Sequence, residues 1–365
     1  EGLAARLIAD GLPLWRMFLG LPVLHPLVRF LNVYWRADEG EVRIVRRAHG
    51  TERDQRYIGS PAAAILDQDA DALRFRIERM EGDLPHQVLE ELRAEGGSDY
   101  VIMALRFDAT RVGVTSMATR RPGGFSAADL ALVDGVRDAL TAVLERLILM
   151  KLAATVVETY VGARAGARVL SGEIRRGSLE TVRAALWYCD LRGFTALSDR
   201  LAPADLIALL NGYFEIIGGA VEAHGGEVLK FIGDAALAVF PAGAESEAAS
   251  GVCAAALAAA RQAVRGIDER NAERSGWGEP VLRCGVALHL GEVLYGNIGA
   301  PSRLDFTVIG PAVNLVTRIE GLCKRLDRVV LTSEDFAAAS PEPLFSVGWH
   351  PVKGLLKPVQ VFGLP

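Results

Sequence analysis

The sequence predicts an α+β protein of two domains joined by a long helix. Three observations carry that prediction. Residues 1 to about 130 mix short β-rich runs with helical ones. Residues 136–161 place apolar side chains at the spacing of a helical seam. From about 183 the order becomes strand, helix, helix, strand hairpin, helix, strand, strand, helix, strand. A chain of 365 residues is long enough for two cores of ordinary size.

The elements follow in order. "LNVYWRADEGEVRIV" is two β-rich runs about an Asp-Glu-Gly turn, which suits a hairpin, and "YVIMALRF" with "VGVTSMAT" reads as a second strand pair. In "PGGFSAADLALVDGV" the glycines make a loop, Ser126 is the N-cap and Asp129 follows three residues on, a capping-box start to a long helix. Along that helix Val136, Leu140, Val143, Leu147, Met150, Ala154, Val157 and Val161 alternate by four and three, the seam of a parallel coiled coil. Leu144, Ile148, Leu149 and Leu152 widen the apolar face, so a helix packed on its own domain is the competing reading. Gly162, Gly166, Gly172 and Gly177 then form a joint. The expected organisation is a regulatory domain over 1–130, a helical linker over 131–182 and a second domain over 183–365.

In that second domain "AALWYCD" is a strand, and "PADLIALLNGYFEIIGGAVEAHG" a helix stopped by Gly225 and Gly226. "GEVLKFIGDAALAVF" is two strands about a tight turn, and the Ala-rich run from Glu247 is a helix. "VLRCGVALHLGEVLYGNIG" reads as another hairpin, "PAVNLVTRIEGLCKRL" as a helix and "PVQVFGL" as a last strand.

Composition narrows the function classes. A net charge of −5 with 50% apolar residues gives no polyelectrolyte surface for nucleic acid. Cys189, Cys253, Cys284 and Cys323 show no CxxC pair and no histidine at metal spacing, which favours reduced thiols and a cytoplasmic location. The apolar stretch near the front is broken by Arg16, Pro22, His25, Pro26 and Arg29, so it reads neither as a membrane span nor as a signal peptide. The chain begins at Glu1 without Met, so a preceding segment stays open.

The chemistry-bearing residues fall in three places. Asp190 ends an apolar strand, where a lone carboxylate costs stability unless a cation meets it. Gly233 suits the first position of a type II′ turn and puts Asp234 at a hairpin tip, which taken alone is ordinary turn chemistry. If the two carboxylates converge, they suit hard divalent cations that bridge to phosphates. "LRGFT" turns into a helix whose free N–H groups suit a triphosphate. Asn314 and Arg318, four apart, leave one helical face as an amide and a guanidinium.

The segments "YCDLRGFTALSD", "GGEVLKFIGDAALAVF", "GVALHLGEVLYGNIG" and "DFTVIGPAVNLVTRIEGL" resemble, in that order, the class III adenylate/guanylate cyclase catalytic domain. The resemblance covers 183–365. It implies a ferredoxin-like palm and a head-to-tail homodimer with sites in the interface. It also implies conversion of a nucleoside triphosphate to the 3′,5′-cyclic monophosphate and pyrophosphate with two divalent cations, Mg²⁺ or Mn²⁺. Residue by residue it makes Asp190 and Asp234 metal ligands with the carbonyl of Leu191, and Arg192, Gly193, Phe194 and Thr195 the phosphate loop. Asn314 orients the ribose and Arg318 stabilises charge on the transferred phosphorus, both from the other chain. Lys230 occupies the base-selecting position, with Lys implying adenine and hence ATP, because adenine N1 needs a donor. Its partner position holds Thr307 in place of Asp, as in a subgroup in which bicarbonate responsiveness occurs. The usual GDxVN reads "GPAVN", and Pro311 suits a helix start. The triphosphate lysine aligns with Leu355; of the flanking Lys353 and Lys357, Lys353 is favoured.

The expectation is therefore a cytoplasmic adenylate cyclase controlled by its N-terminal domain, without nucleic-acid partner or membrane span. A guanylate cyclase, with Glu expected at Lys230, and a silent nucleotide-binding sensor are the alternatives. A diguanylate cyclase would show GGDEF where this chain has "FIGDA". The front half resembles a GAF-type sensor in its order of elements, which implies a small-molecule ligand there. His25 reads as a haem ligand or, by preference, a core or helix-end histidine, and Trp15, Trp35 and Tyr34 as pocket lining or core.

Overall fold

The computed structural model describes the chain except residues 24, 109–110, 174, 243–245, 277 and 365, and the side chains of 52 and 246–248. It divides into two compact units, Glu1–Val156 and Val157–Pro365.

The first unit contains α1 (Gly2–Ala9), β1 (Arg16–Pro22), β2 (Val28–Arg36), β3 (Val42–Ala48), α2 (Pro61–Asp67), β4 (Ala72–Phe75), α3 (Gln87–Ala94), β5 (Asp99–Arg106), β6 (Val112–Thr119) and most of α4 (Ala127–Val161). Both expected strand pairs form, as β2–β3 and β5–β6, in an antiparallel sheet of order β3-β2-β1-β6-β5-β4. Strand alternation sorts the two faces. Trp15, Tyr100, Ile102 and Val114 pack with α2 and α3, while Met17, Val101, Met103 and Met117 pack with α1 and the start of α4.

The capping box at α4 is complete. Asp129 accepts from the Ser126 N–H at 2.6 Å, and Ser126 Oγ accepts from the Asp129 N–H at 3.2 Å. The two readings of this helix fall on different faces: Val133, Leu144 and Ile148 are buried, whereas Val143, Leu147 and Met150 are exposed. One sequence expectation changes here. His25 is neither core nor helix end; its Nδ1 accepts the Leu27 N–H at 3.0 Å in the turn before β2. Trp15 is core, with the Arg120 guanidinium 3.9 Å from its ring centroid.

The second unit contains α5 (Ala163–Leu170), β7 (Leu179–Leu191), α6 (Phe194–Ser198), α7 (Pro203–Ala223), β8 (Glu227–Ile232), β9 (Ala235–Pro241), α8 (Ser246–Gly276), β10 (Cys284–Ala300), β11 (Arg303–Ile309), α9 (Pro311–Arg325), β12 (Val330–Ser333), α10 (Glu334–Ala339), β13 (Phe345–His350) and β14 (Val359–Gly363). The sheet order is β13-β14-β12-β10-β7-β9-β8, with β11 paired to β10. Its centre, β10-β7-β9-β8, is the fourth, first, third and second strand of a βαββαβ unit, the ferredoxin-like order expected for a palm. α7 and α8 cover one face, burying Tyr213, Ile217, Leu257 and Ala260 against Trp187 and Val286. α9 covers the other, with Val316, Ile319 and Cys323 against Leu186, Leu237 and Ala287. α7 is long and apolar enough to cross a membrane by composition, but Tyr213, Ile217 and Val221 are spent on this core. All four cysteines are free and buried.

The expected hairpin in "GVALHLGEVLYGNIG" does not form. β10 runs unbroken and pairs with β7 from Cys284↔Leu191 to Gly296↔Leu179. Gly291 marks the close approach of α9, since a Cβ there would lie 2.9 Å from that of Ala312. The chain turns instead after Ala300, where β11 begins its pairing at Arg303.

Candidate active site

Strand parity aims the first carboxylate. Ala184 and Leu186 of β7 are buried on the α9 face, and Asp190 continues that even-numbered series. Its ladder partner is Ala235, so the two-residue loop Gly233–Asp234, closed by Ile232↔Ala235, lies beside it. Gly233 has φ 65° and Asp234 does not share a positive φ, the backbone of a II′ turn. The Asp190 and Asp234 carboxyl groups are close enough to act on each other electrostatically. Burial, and then the negative charge of Asp234, push the Asp190 carboxyl up to about 6.

A third carboxylate, missed in the sequence, joins them. Glu320 of α9 is pushed up to about 7, by burial first and then by the charge of Asp190, with Arg192 pulling the other way. It sits over Gly285, the β10 residue paired with Asp190, where a Cβ would lie 2.5 Å from Glu320 Oε1. The signal was available: Glu320 shares the buried helical face of Val316 and Cys323, at i+4 and i+7 from the first.

Among the described residues no group of three or more His, Cys, Asp or Glu is arranged to hold a metal ion. Two converging carboxylates short of positive charge, with the adjacent Leu191 carbonyl, are nevertheless an all-oxygen donor set for a hard cation. Such a partial set fits Mg²⁺, which keeps several positions for water and phosphate.

The expected phosphate loop leads into α6. Gly193 has φ 77° and caps α6, whose hydrogen bonds begin with Ala196 N–H to Gly193 O at 3.1 Å, leaving Phe194 and Thr195 N–H ahead of the first bond. Arg192 is turned elsewhere. Its N–H donates to Arg283 O at 2.8 Å and its guanidinium to the Arg328 carbonyl.

At the position expected to select the base, Lys230 Nζ donates to Asp305 Oδ2 at 2.5 Å. Asp305 was also missed. It stands two residues before Thr307 on β11 and therefore on the same strand face, while Phe306 and Val308 point into the core. Thr307 is buried, and its hydroxyl has no hydrogen-bond partner among the described residues.

α9 opens with Gly310 as N-cap and Pro311 at its first turn, so the "GPAVN" departure is accommodated. Asn314 is exposed and Arg318 half-buried on one face. A Cβ on Gly354 would lie 3.1 Å from Arg318 Nη2, so the guanidinium rests on the segment carrying Lys353. Lys353 itself is exposed, as are Leu355 and Lys357.

Residues 179–346 match the model of the adenylate and guanylate cyclase catalytic domain. An adenylate cyclase of Anabaena cylindrica is 36% identical over 163 residues, 44% of this chain and 31% of that protein. Adenylate cyclase 1 of Rhizobium meliloti (strain 1021) is 31% identical over 147 residues, 40% of this chain and 22% of that one. The chain thus spans under a third of the length of these curated relatives. The structure of a bacterial light-regulated adenylyl cyclase superposes with a TM-score of 0.50 at 25% identity, over 62% of this chain and 64% of that one.

Proposed function

We propose that the chain converts ATP to 3′,5′-cyclic AMP and pyrophosphate as a homodimer, a reading supported by the match of residues 179–346 to the adenylate and guanylate cyclase catalytic domain. The observation that carries the dimer is the division of α9. Glu320 faces the chain's own carboxylate pair, and Arg318, two residues earlier, lies roughly 200° round the helix. Arg318 therefore faces away from the Asp190–Asp234 pair of its own chain, which supports a second copy bringing it. Asn314 travels with it, four residues away on the same face.

In this reading Asp190, Asp234 and the Leu191 carbonyl hold two divalent cations. When bound, these neutralise triphosphate charge and favour ionisation of the ribose 3′-hydroxyl. Phe194 and Thr195 N–H groups receive phosphate oxygens. Asn314 orients the ribose, and Arg318 donates to the oxygens of the transferred phosphorus, where charge builds up. The 3′-oxygen bonds to the α-phosphorus as the bond to the bridging oxygen breaks, releasing pyrophosphate. Lys353, beside Gly354 and Arg318, meets the triphosphate.

Adenine is favoured by the Lys230–Asp305–Thr307 face. Lys230 supplies the donor for N1, and the oxygens of Asp305 and Thr307 accept from the 6-amino group. The unbroken helix α4, crossing the boundary between the units, supports control from the N-terminal unit through an exposed Val143/Leu147/Met150 stripe that pairs in the dimer.

The test is product formation from ATP and, separately, GTP with Mn²⁺ or Mg²⁺, beside Asp234→Ala. Cyclic AMP in excess, lost in the variant, is expected; cyclic GMP in excess would overturn the adenine assignment, and no product from either would overturn the activity. For the relay, a chain cut to 157–365 with full, unregulated activity at equal concentration would sink the idea.

A further inference from the structure

The first unit contains a cavity of about 310 Å³ on the sheet face opposite α4, within the size of small-molecule sites. Its floor is aromatic. Phe18 and Tyr34 are ladder partners on β1 and β2 with ring centroids 5.0 Å apart. Arg43 of β3 pairs with Tyr34 and holds its guanidinium 5.0 Å from that ring's centroid. Arg47, four residues later, pairs with Phe30, and Arg16 stands two residues before Phe18 on the same face.

The charge around this floor is one-sided. Among the described residues five arginines line the cavity (Arg16, Arg29, Arg43, Arg47 and Arg56), Arg29 with a partner of its own, against two carboxylates, Asp54 and Glu91. Both acids are engaged locally, Asp54 by the Arg56 N–H at 3.0 Å and Glu91 by the Gln87 amide at 3.0 Å. Arg16, Arg43 and Arg47 have no hydrogen bond or ion pair among the described residues. Other guanidiniums of this unit do pair: Arg36 with Asp38 and Glu95, Arg74 with Asp99, and Arg137 with Asp71.

A buried donor completes the set. His86 lines the same cavity, and its Nδ1 accepts the Val88 N–H at 3.1 Å, which leaves the ring proton on Nε2. That Nε2 is buried with no partner among the described residues. An unmet buried donor and unpaired like charges each cost free energy that one anion would recover.

We propose that this cavity binds a small organic anion carrying a planar ring. The ring stacks in the Phe18–Tyr34–Arg43 region, and the anionic group meets Arg16, Arg47 and His86 Nε2–H. The site lies wholly within residues 1–156 and does not depend on the nucleotide chemistry of the other unit.

Isothermal titration calorimetry of the full chain with phenyl phosphate tests it, beside inorganic phosphate and benzyl alcohol. Saturable binding of phenyl phosphate is expected, weakened about tenfold or more in Arg16→Gln and Arg47→Gln. His86→Phe, which keeps the ring and removes the donor, is expected to weaken it severalfold. The exposed Arg43→Gln serves as a second variant with little bearing on folding, and melting temperatures check all four. Unchanged affinity in the arginine variants, or no saturable binding up to roughly 10 mM, overturns the site. Inorganic phosphate binding as tightly overturns the ring, and benzyl alcohol binding as tightly overturns the anion.

Discussion

Arg318 and Glu320 are two residues apart on α9 and face different parts of the protein. Glu320 lies over Gly285 beside Asp190, and Arg318 rests on Gly354. A helix turns each side chain roughly 100° from the last, so the charge that chemistry needs and the carboxylates it must meet are separated by the backbone itself.

This division makes complementation the decisive dimer experiment. Asp190→Asn with Asp234→Asn in one chain, and Asn314→Ala with Arg318→Ala in another, are each expected to lose about 100-fold or more in cyclase activity. Mixed, they should regain a fraction of wild-type turnover, because one of the two interfacial sites is whole. Absence of recovery in a confirmed mixed dimer would falsify the shared site.

In the proposed reading the Lys230–Asp305 ion pair constrains base selection. Lys230→Glu alone sets two carboxylates against each other and is expected to lower ATP turnover without admitting GTP. Adding Asp305→Asn relieves the repulsion and should raise the ratio of cyclic GMP to cyclic AMP. Chromatography of the two products measures it; GTP turnover already in the single variant would contradict the pairing.

Gly285 is held by close approach. Gly285→Ala drives a methyl into Glu320 and Cys323 and is expected to cost about 1–3 kcal/mol in urea unfolding. Gly251→Ala, on α8 with open space about it, should instead gain roughly 0.5–1 kcal/mol. Equal effects at the two positions would show that the packing at Gly285 is misjudged.

His289 gives the pH dependence a sign. It is buried on β10 with Nδ1 2.8 Å from Ser333 Oγ, and burial lowers its pKa below the ordinary 6.5. The unfolded chain then binds the extra proton first, so stability is present above 6.5 and is lost as pH falls through it. Thermal melts across pH 5 to 7 should show this slope flattened in His289→Gln.

Much of this was legible from local chemistry. The capping box at Ser126, the II′ turn at Gly233 and the opening of α9 at Pro311 depend on residues within a few positions of one another, and each formed as read. Long-range placement was not legible in the same way. The hairpin expected within "VLRCGVALHLGEVLYGNIG" became one strand, paired along its length with the distant β7. His25 was read by its apolar neighbours, but its own turn supplied its partner.

The sequence by itself determined the strand that carries Asp190 near its end and the turn that carries Asp234, and ladder pairing in the folded sheet then set the two side by side. Only the tertiary structure decided which other groups join them. It brought Glu320 in, turned Arg192 out to Arg328, paired Lys230 with Asp305, and gathered Arg16, Arg43 and Arg47 over one aromatic floor. The physical reason is that side-chain direction across a packed interface depends on register and helix rotation between distant segments, which local spacing does not encode.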